Sequence, residues 1–330
     1  MLIIGDISGL RMHRRFGPRL TPTRITSLER STSAEREWKN FDLVAFNQSF
    51  DKLHVVIDSP AKRRADERVT THLFSKGVPE GSLLELKKGV YVASVALCLI
   101  HASRGLSNLE LIRLCYEVCS CYEIVWVCGG EHGGGDISGD SVFPGDVRGR
   151  FESRECQPLT TVAQLSASLA HFDGIMGASR ILKALRYVAN GSASPRETDM
   201  AMLAWCPHYL GGYGFRVALM NHTILIDGKQ RRCDLLFKDE RVGVEYDSDV
   251  WHAGSVKNSI DSARQKQIEQ KGYRVISITN GELKDYTLAD SAMTLLGKCL
   301  GVRVRKPRGR AMAARRELHA FINTEHQPMF

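Results

Sequence analysis

The sequence predicts a mixed α/β (α+β) chain: a C-terminal mixed sheet flanked by helices, preceded by a smaller β-rich and then helical N-terminal region. Three observations predict it. Two short apolar runs at 233–237 and 242–246 flank the charged turn Lys238-Asp239-Glu240-Arg241, which is a hairpin pattern. Four short apolar or alternating runs fall between residues 53 and 94. Leu109, Ile112, Leu114, Cys115 and Val118 recur at helical spacing within 108–121.

Residues 1–40 are rich in Arg, Ser and Thr, with weak periodicity, and read as a basic, poorly ordered segment with a short helix near 33–39. A β-rich and then helical N-terminal domain is expected over 41–128. LHVVIDS, RVTTHLF, SLLEL and GVYVAS supply its strands, and 96–102 and 108–121 its helices. The glycine-rich stretch at 129–150 lacks the Gly-Lys-Ser/Thr ending of a phosphate loop and reads as a flexible loop. Residues 151–190 form a helical connector. At 191–300 the composition changes and a second domain begins. Ser194, Pro195 and Glu197 make a capping box: the Ser hydroxyl accepts from a backbone amide and the Glu carboxylate reaches back to the Ser amide. The expected order is then a helix to about Trp205, the strands HTILI and RRCDLLF across Asp227-Gly228, and the strand RVGVEY. A helix at 260–271, the strand YRVISIT, a turn at Asn280-Gly281 and a helix at 287–299 follow. Residues 301–330 read as a basic tail.

The apolar content of 43% and charged content of 25% suit a soluble globular protein. No apolar run approaches the ~20 residues of a membrane span, and the opening MLIIGDISGLRMHRR does not have the charge order of a secretory signal. A cytoplasmic protein is expected, with no membrane partner. The net charge of +8 is uneven: the first 40 and last 30 residues carry +9 together, and the body carries −1. That placement favours loose phosphate contact by the ends over a basic globular surface; a solvated tail accounts for it equally well. The nine cysteines lack the paired spacing of a zinc site, so buried, reduced thiols are expected.

Chemistry concentrates in RRCDLLFKDERVGVEYDSDVWH, residues 231–252. Asp234 sits inside one apolar run and Glu245 inside the next. Asp247, two residues on, leans the same way as Glu245 because side chains alternate across a strand. Carboxylates are rarely left in strands without a partner, and a hard divalent cation is one such partner. Asp234, Glu245 and Asp247 are therefore candidate ligands for Mg²⁺ (or Mn²⁺), and His252, behind Trp251, is a candidate proton carrier near neutral pH. Each has a plainer reading. Asp234 could bond neighbouring amides, Asp247-Ser248 suits a strand exit, and His252 beside Trp251 suits a packed histidine. Asp261 with Arg264 is also an i,i+3 helix pair, and capping alone accounts for Glu197.

The ordered set of Ser-Pro-x-Glu entry helix, strand with Asp234, EYDS strand ending at Trp251-His252, Asp261-x-x-Arg264 and GYRVISIT resembles an uncharacterised bacterial domain. That domain is allied to the very-short-patch-repair (Vsr-like) endonucleases of the PD-(D/E)XK restriction-endonuclease-like superfamily. The resemblance covers roughly a third of the chain, residues 194–283. It implies a restriction-endonuclease-like fold, with Asp234 the first metal ligand and Glu245 the strand acid. Asp247 and His252 stand where the repair enzymes have two histidines, Glu197 matches an acid of the first helix, and Asp261 and Arg264 line or brace the cleft. Two positions depart from the pattern: Asp247 replaces the superfamily's Lys, and Ser248 the allied domain's Gly. The N-terminal half more faintly resembles AbiEi-type antitoxin regions.

The expected function is Mg²⁺-dependent endonucleolytic hydrolysis of double-stranded DNA. The alternative is a catalytically inactive module that binds DNA or a toxin-like protein partner through the N-terminal half, in the manner of an antitoxin-like regulator.

Overall fold

Leu2, Ile3 and Ile4 are fully buried, so both faces of this three-residue strand, β1 (Leu2–Ile4), lie inside protein. A strand covered on both sides reads as a continuous apolar run with no alternation. The computed structural model describes residues 1–33, 52–63, 67–128, 149–226, 229–247 and 272–330. The short strands β2 (Thr21–Pro22), β3 (Leu53–Ile57), β4 (Val69–Leu73), β5 (Leu83–Lys87) and β6 (Val90–Ala93) join β1 in a six-stranded mixed sheet, ordered β2-β5-β6-β1-β3-β4. β1 runs parallel to β6 and antiparallel to β3, while β3 and β4 are parallel. Helix α1 (Asp6–Phe16) leaves β1 and packs on α2 (Val95–Ala102). Their approach needs Gly9, because a Cβ there would stand 2.3 Å from Cys98 Sγ.

Helix α3 (Asn108–Cys119) begins at a capping box made by Ser107 and Glu110, and α4 (Val162–Ala170) at one made by Thr161 and Gln164. The ribbon β7 (Tyr122–Cys128) and β8 (Gly149–Glu155) lies between them in sequence, and α5 (Met176–Leu185) and α6 (Pro195–Trp205) follow. One apolar core runs through these helices without a break at residue 190. There, Trp205 Nε1–H of α6 donates to the Tyr116 hydroxyl of α3 and to Tyr187 O, each at 2.9 Å.

The second sheet is the meander β9 (Leu219–Ile226), β10 (Lys229–Phe237), β11 (Val242–Asp247), with β12 (Arg274–Thr279) added parallel to β11. Leu235, Phe237, Val242, Val244, Ile276 and Ile278 turn one face into the main core. The helices α7 (Asn280–Lys284), α8 (Tyr286–Cys299) and α9 (Arg310–Ile322) close the chain. The architecture is therefore α+β: mixed sheets flanked by helices, as the sequence predicts.

The structure differs from the sequence reading at several places, among them the expected helical connector at 151–190, into which the strand β8 runs. Residues 1–40 read as poorly ordered in the sequence, yet β1 is a central strand; its partners lie about fifty and ninety residues away, beyond any local pattern. Asn280-Gly281 opens α7 instead of turning, because Thr279 and Glu282 form a capping box around it. The expected basic tail contains α9, which buries Leu318 and Ile322. Arg315 is also buried there, its guanidinium 3.5 Å from the centre of the Tyr213 ring and bonded to Gly212 O at 3.2 Å. The expected helix near 33–39, the glycine-rich stretch, the Asp227-Gly228 turn and the 260–271 helix lie, wholly or almost wholly, outside the described residues. Among the described residues no helix is long and apolar enough to cross a membrane.

Candidate active site on the second sheet

The site is set by an interruption in the ladder. β9 and β10 pair at Cys233↔His222 and at Leu235↔Met220, which puts Asn221 opposite Asp234. Asn221 has φ +49°, a left-handed conformation that asparagine tolerates better than most residues. On the other side, the pairing of β10 with β11 runs from Phe237↔Val242 to Leu235↔Val244 and stops just before Asp234. Tyr246 N–H donates to Asp234 Oδ2 at 2.6 Å, so a side chain takes a backbone amide of the neighbouring strand.

Asp234 is half-buried, and burial pushes its carboxyl up to about 6. The Tyr246 amide and Arg232 oppose that rise, and the charges of Glu197 and Glu245 add to it. The site therefore gathers acids from α6, β10 and β11. Glu197 is buried at the start of α6. Its carboxylate accepts from Ala193 N–H at 2.8 Å, from the Ser194 hydroxyl at 3.2 Å and from Asn221 Nδ2. The Ser194 cap of the helix amide is present, but the carboxylate reaches Ala193 N–H where the sequence pattern expects the Ser194 amide. Asn221 passes the connection on: its Oδ1 accepts from Arg232 Nε at 2.6 Å. A chain of contacts thus runs Glu197–Asn221–Arg232, and the exposed Arg232 acts electrostatically on Asp234.

The expected ligands are placed unequally. Asp234 lies one residue beyond the last pair of β10 with β11, and Glu245 is half-buried beside Ser277 of β12. Asp247 is exposed at the end of β11, level with Thr279. Asp234, Glu245 and Asp247 do not close into a set of ligand atoms within 4.8 Å of one another. Among the described residues the group that does so is Asp6, His54 and His72, on the first sheet. His252, Asp261 and Arg264 lie outside the described residues. Sequence reasoning missed Asn221 and Arg232; the only signal was an Asn and an Arg in register with the acidic pair.

The donor chemistry suits a hard cation. Asp234 offers a carboxylate crowded by burial and by two like charges, which a bound divalent ion would relieve. Searches of protein-family models, curated proteins and solved structures found no match to this chain.

Proposed function

We propose that the C-terminal part of this chain is a metal-dependent endonuclease that hydrolyses phosphodiesters of double-stranded DNA, in the manner of the Vsr-like PD-(D/E)XK enzymes it resembles. The observation that carries the reading is the Asp234 carboxyl, held by the Tyr246 amide at a break in the sheet and raised by burial and by the charges of Glu197 and Glu245. Asp234 and Glu245 would hold Mg²⁺ or Mn²⁺, with Asp247 as a further oxygen donor. The ion, when bound, lowers the pKa of its water and offsets charge on the scissile phosphate.

The remaining work belongs to the protein. The Tyr246 amide orients Asp234 so that its carboxylate does not swing into solvent. Glu197 fixes the first turn of α6 and, through Asn221, the direction of Arg232. Arg232 supplies a guanidinium at the rim, where it can meet a phosphate oxygen. That cation stands in for the lysine the superfamily pattern has where this chain has Asp247. His252 would carry the proton to the leaving group, and Asp261 and Arg264 would line the cleft. Arg303, Arg305, Lys306 and Arg308, exposed between α8 and α9, and Arg310 at the start of α9 would meet the DNA backbone without reading its sequence. A cytoplasmic setting suits a DNA substrate.

The test is nicking of supercoiled plasmid by the full chain with Mg²⁺ or Mn²⁺. Glu245→Ala should reduce the rate by about 100-fold or more, the loss that follows removal of a key electrostatic group. Equal cleavage by Glu245→Ala and the parent would reject the site. A second reading is a binding module without catalysis, acting on DNA or on a toxin-like protein. Two observations favour it: Asp247 is exposed in the place of the lysine, and Glu197 is occupied by three hydrogen bonds. Calorimetry separates the readings, because such a module would form a DNA or protein complex while binding no divalent ion.

A further inference from the structure

Asp6 of α1, His54 of β3 and His72 of β4 meet where β1 gives way to α1. Asp6 has φ +52°, a left-handed conformation that costs a residue other than glycine energy. In that conformation its carboxylate has two jobs. Oδ1 accepts from Ile7 N–H at 2.6 Å, while Oδ2 lies 3.2 Å from His72 Nδ1 and 3.7 Å from His54 Nδ1. The backbone of His54 is fixed on both sides: its amide donates to Ser8 Oγ and its carbonyl accepts from Gly5 N–H, each at 3.0 Å. One ligand atom from each of Asp6, His54 and His72 lies within 4.8 Å of the other two. Donors bound tetrahedrally at ~2.0–2.1 Å sit about 3.4 Å apart. The two oxygen-to-nitrogen distances already stand close to that spacing.

A second feature points the same way. His101 of α2 is 2% exposed, its ring centre is 5.5 Å from that of His72, and neither of its ring nitrogens has a hydrogen-bond partner among the described residues. A buried imidazole without partners is uncommon in a finished core. Gly5 lies beside this ring and must be glycine for another reason, since a Cβ there would stand 2.6 Å from Val56 Cγ2. A bond between His54 and His72 (Nδ1 to Nε2, 2.8 Å) and their contact with Asp6 account for three side chains but leave this fourth ring unexplained.

We propose that Asp6, His54 and His72 form a site for a divalent first-row transition metal of the zinc class, with His101 behind it as a partner for the ion or for water on the ion. Two imidazoles and one carboxylate suit Zn²⁺ and its neighbours better than Mg²⁺, which prefers oxygen alone. Asp6 is buried and the two histidines are half-buried, so the ion would enter from the histidine side. The site is separate from the carboxylates of the second sheet and does not depend on the nuclease reading.

The experiment uses the full chain and the metal alone. After dialysis against Zn²⁺, elemental analysis should find one tightly held equivalent per chain, and Co²⁺ in its place should give a visible ligand-field band. Asp6→Asn and His72→Gln, with circular dichroism matching the parent, should each bind Zn²⁺ more than about 10-fold more weakly, since losing even a ligand's supporting hydrogen bond costs that much. Asp234→Asn should keep the equivalent. In the parent, long-range ¹H–¹⁵N spectra should show His54 and His72 nitrogens shifting with Zn²⁺ while His208 stays put, a readout that holds even if the variants fail to fold. No retained zinc, no cobalt band, or unmoved His54 and His72 signals would overturn the proposal, as would a folded His72→Gln that binds as the parent does.

Discussion

Glu117 shows what a single buried acid does to this protein. It lies inside α3, and burial pushes its carboxyl up to about 8, against the Met329 amide and the charges of Arg113 and Arg14. A carboxyl raised in the folded state contributes stability that is fully present below its unfolded value of 4.5 and is lost as pH rises through about 8. Over that window the loss is on the order of a few kcal/mol. Glu117→Gln keeps an acceptor for Met329 N–H and removes the titration. Melting curves from about pH 5 to about pH 8 should show the variant gaining on the parent as pH rises; a gap that does not change with pH would contradict this origin. Asp199 is the opposite case. It is fully buried but paired, with Arg113 at 3.0 Å, Arg196 at 3.2 Å and His326 at 2.7 Å. Asp199→Ala would take the carboxylate from a buried ion pair, leaving Arg113 only Phe321 O and Arg196 only Ile322 O and Asn323 Oδ1, and should cost about 3–5 kcal/mol in denaturant unfolding. A cost below about 1 kcal/mol would show that the arginines find water instead.

At the scale of elements, the contact of α1 with α2 is the closest fit. Gly9→Ala puts a methyl against Cys98 Sγ and should destabilise the protein by roughly 1–3 kcal/mol, as overpacking does. Adding Cys98→Ala should restore most of that stability; additive effects in the double mutant would place the strain elsewhere. Elements whose partners are near in sequence are legible from the residues alone. The runs at 53–57, 69–73, 83–87 and 90–93 are strands, and a hairpin closes around Lys238–Arg241. Those segments carry their own periodicity and turn residues. β1 and α9 do not. β1 is a strand only because β3 and β6 flank it, and α9 buries Arg315 against Tyr213 although composition marks it as solvent-facing. The same distance effect hides Asp6, His54 and His72, which come together through sheet order alone. Within the second sheet, Asp234 is legible as a carboxylate in a strand, while the turn of Asn221 into left-handed backbone is not.

Across the whole molecule, charge and chemistry are divided. The body of the chain is nearly neutral, and the positive excess sits at its two ends, part of it in the exposed run from Arg303 to Arg310. DNA held by those side chains should bind with an affinity that falls steeply with salt. Replacing Arg305, Lys306 and Arg308 by Gln should lower the slope of log affinity against log salt by about 2–3, near 0.9 for each phosphate no longer neutralised. An unchanged slope would mean that the DNA backbone is gripped elsewhere. The proposed hydrolysis would belong to the second sheet, where burial and the charges of Glu197 and Glu245 raise the carboxyl of Asp234. The most direct test of that assignment is the initial rate of plasmid nicking in Mg²⁺ by the parent and by Asp234→Asn, which preserves the acceptor for Tyr246 N–H. The account predicts cleavage by the parent and a rate at least about 100-fold lower in the variant; equal rates, or no metal-dependent cleavage by the parent, would contradict it.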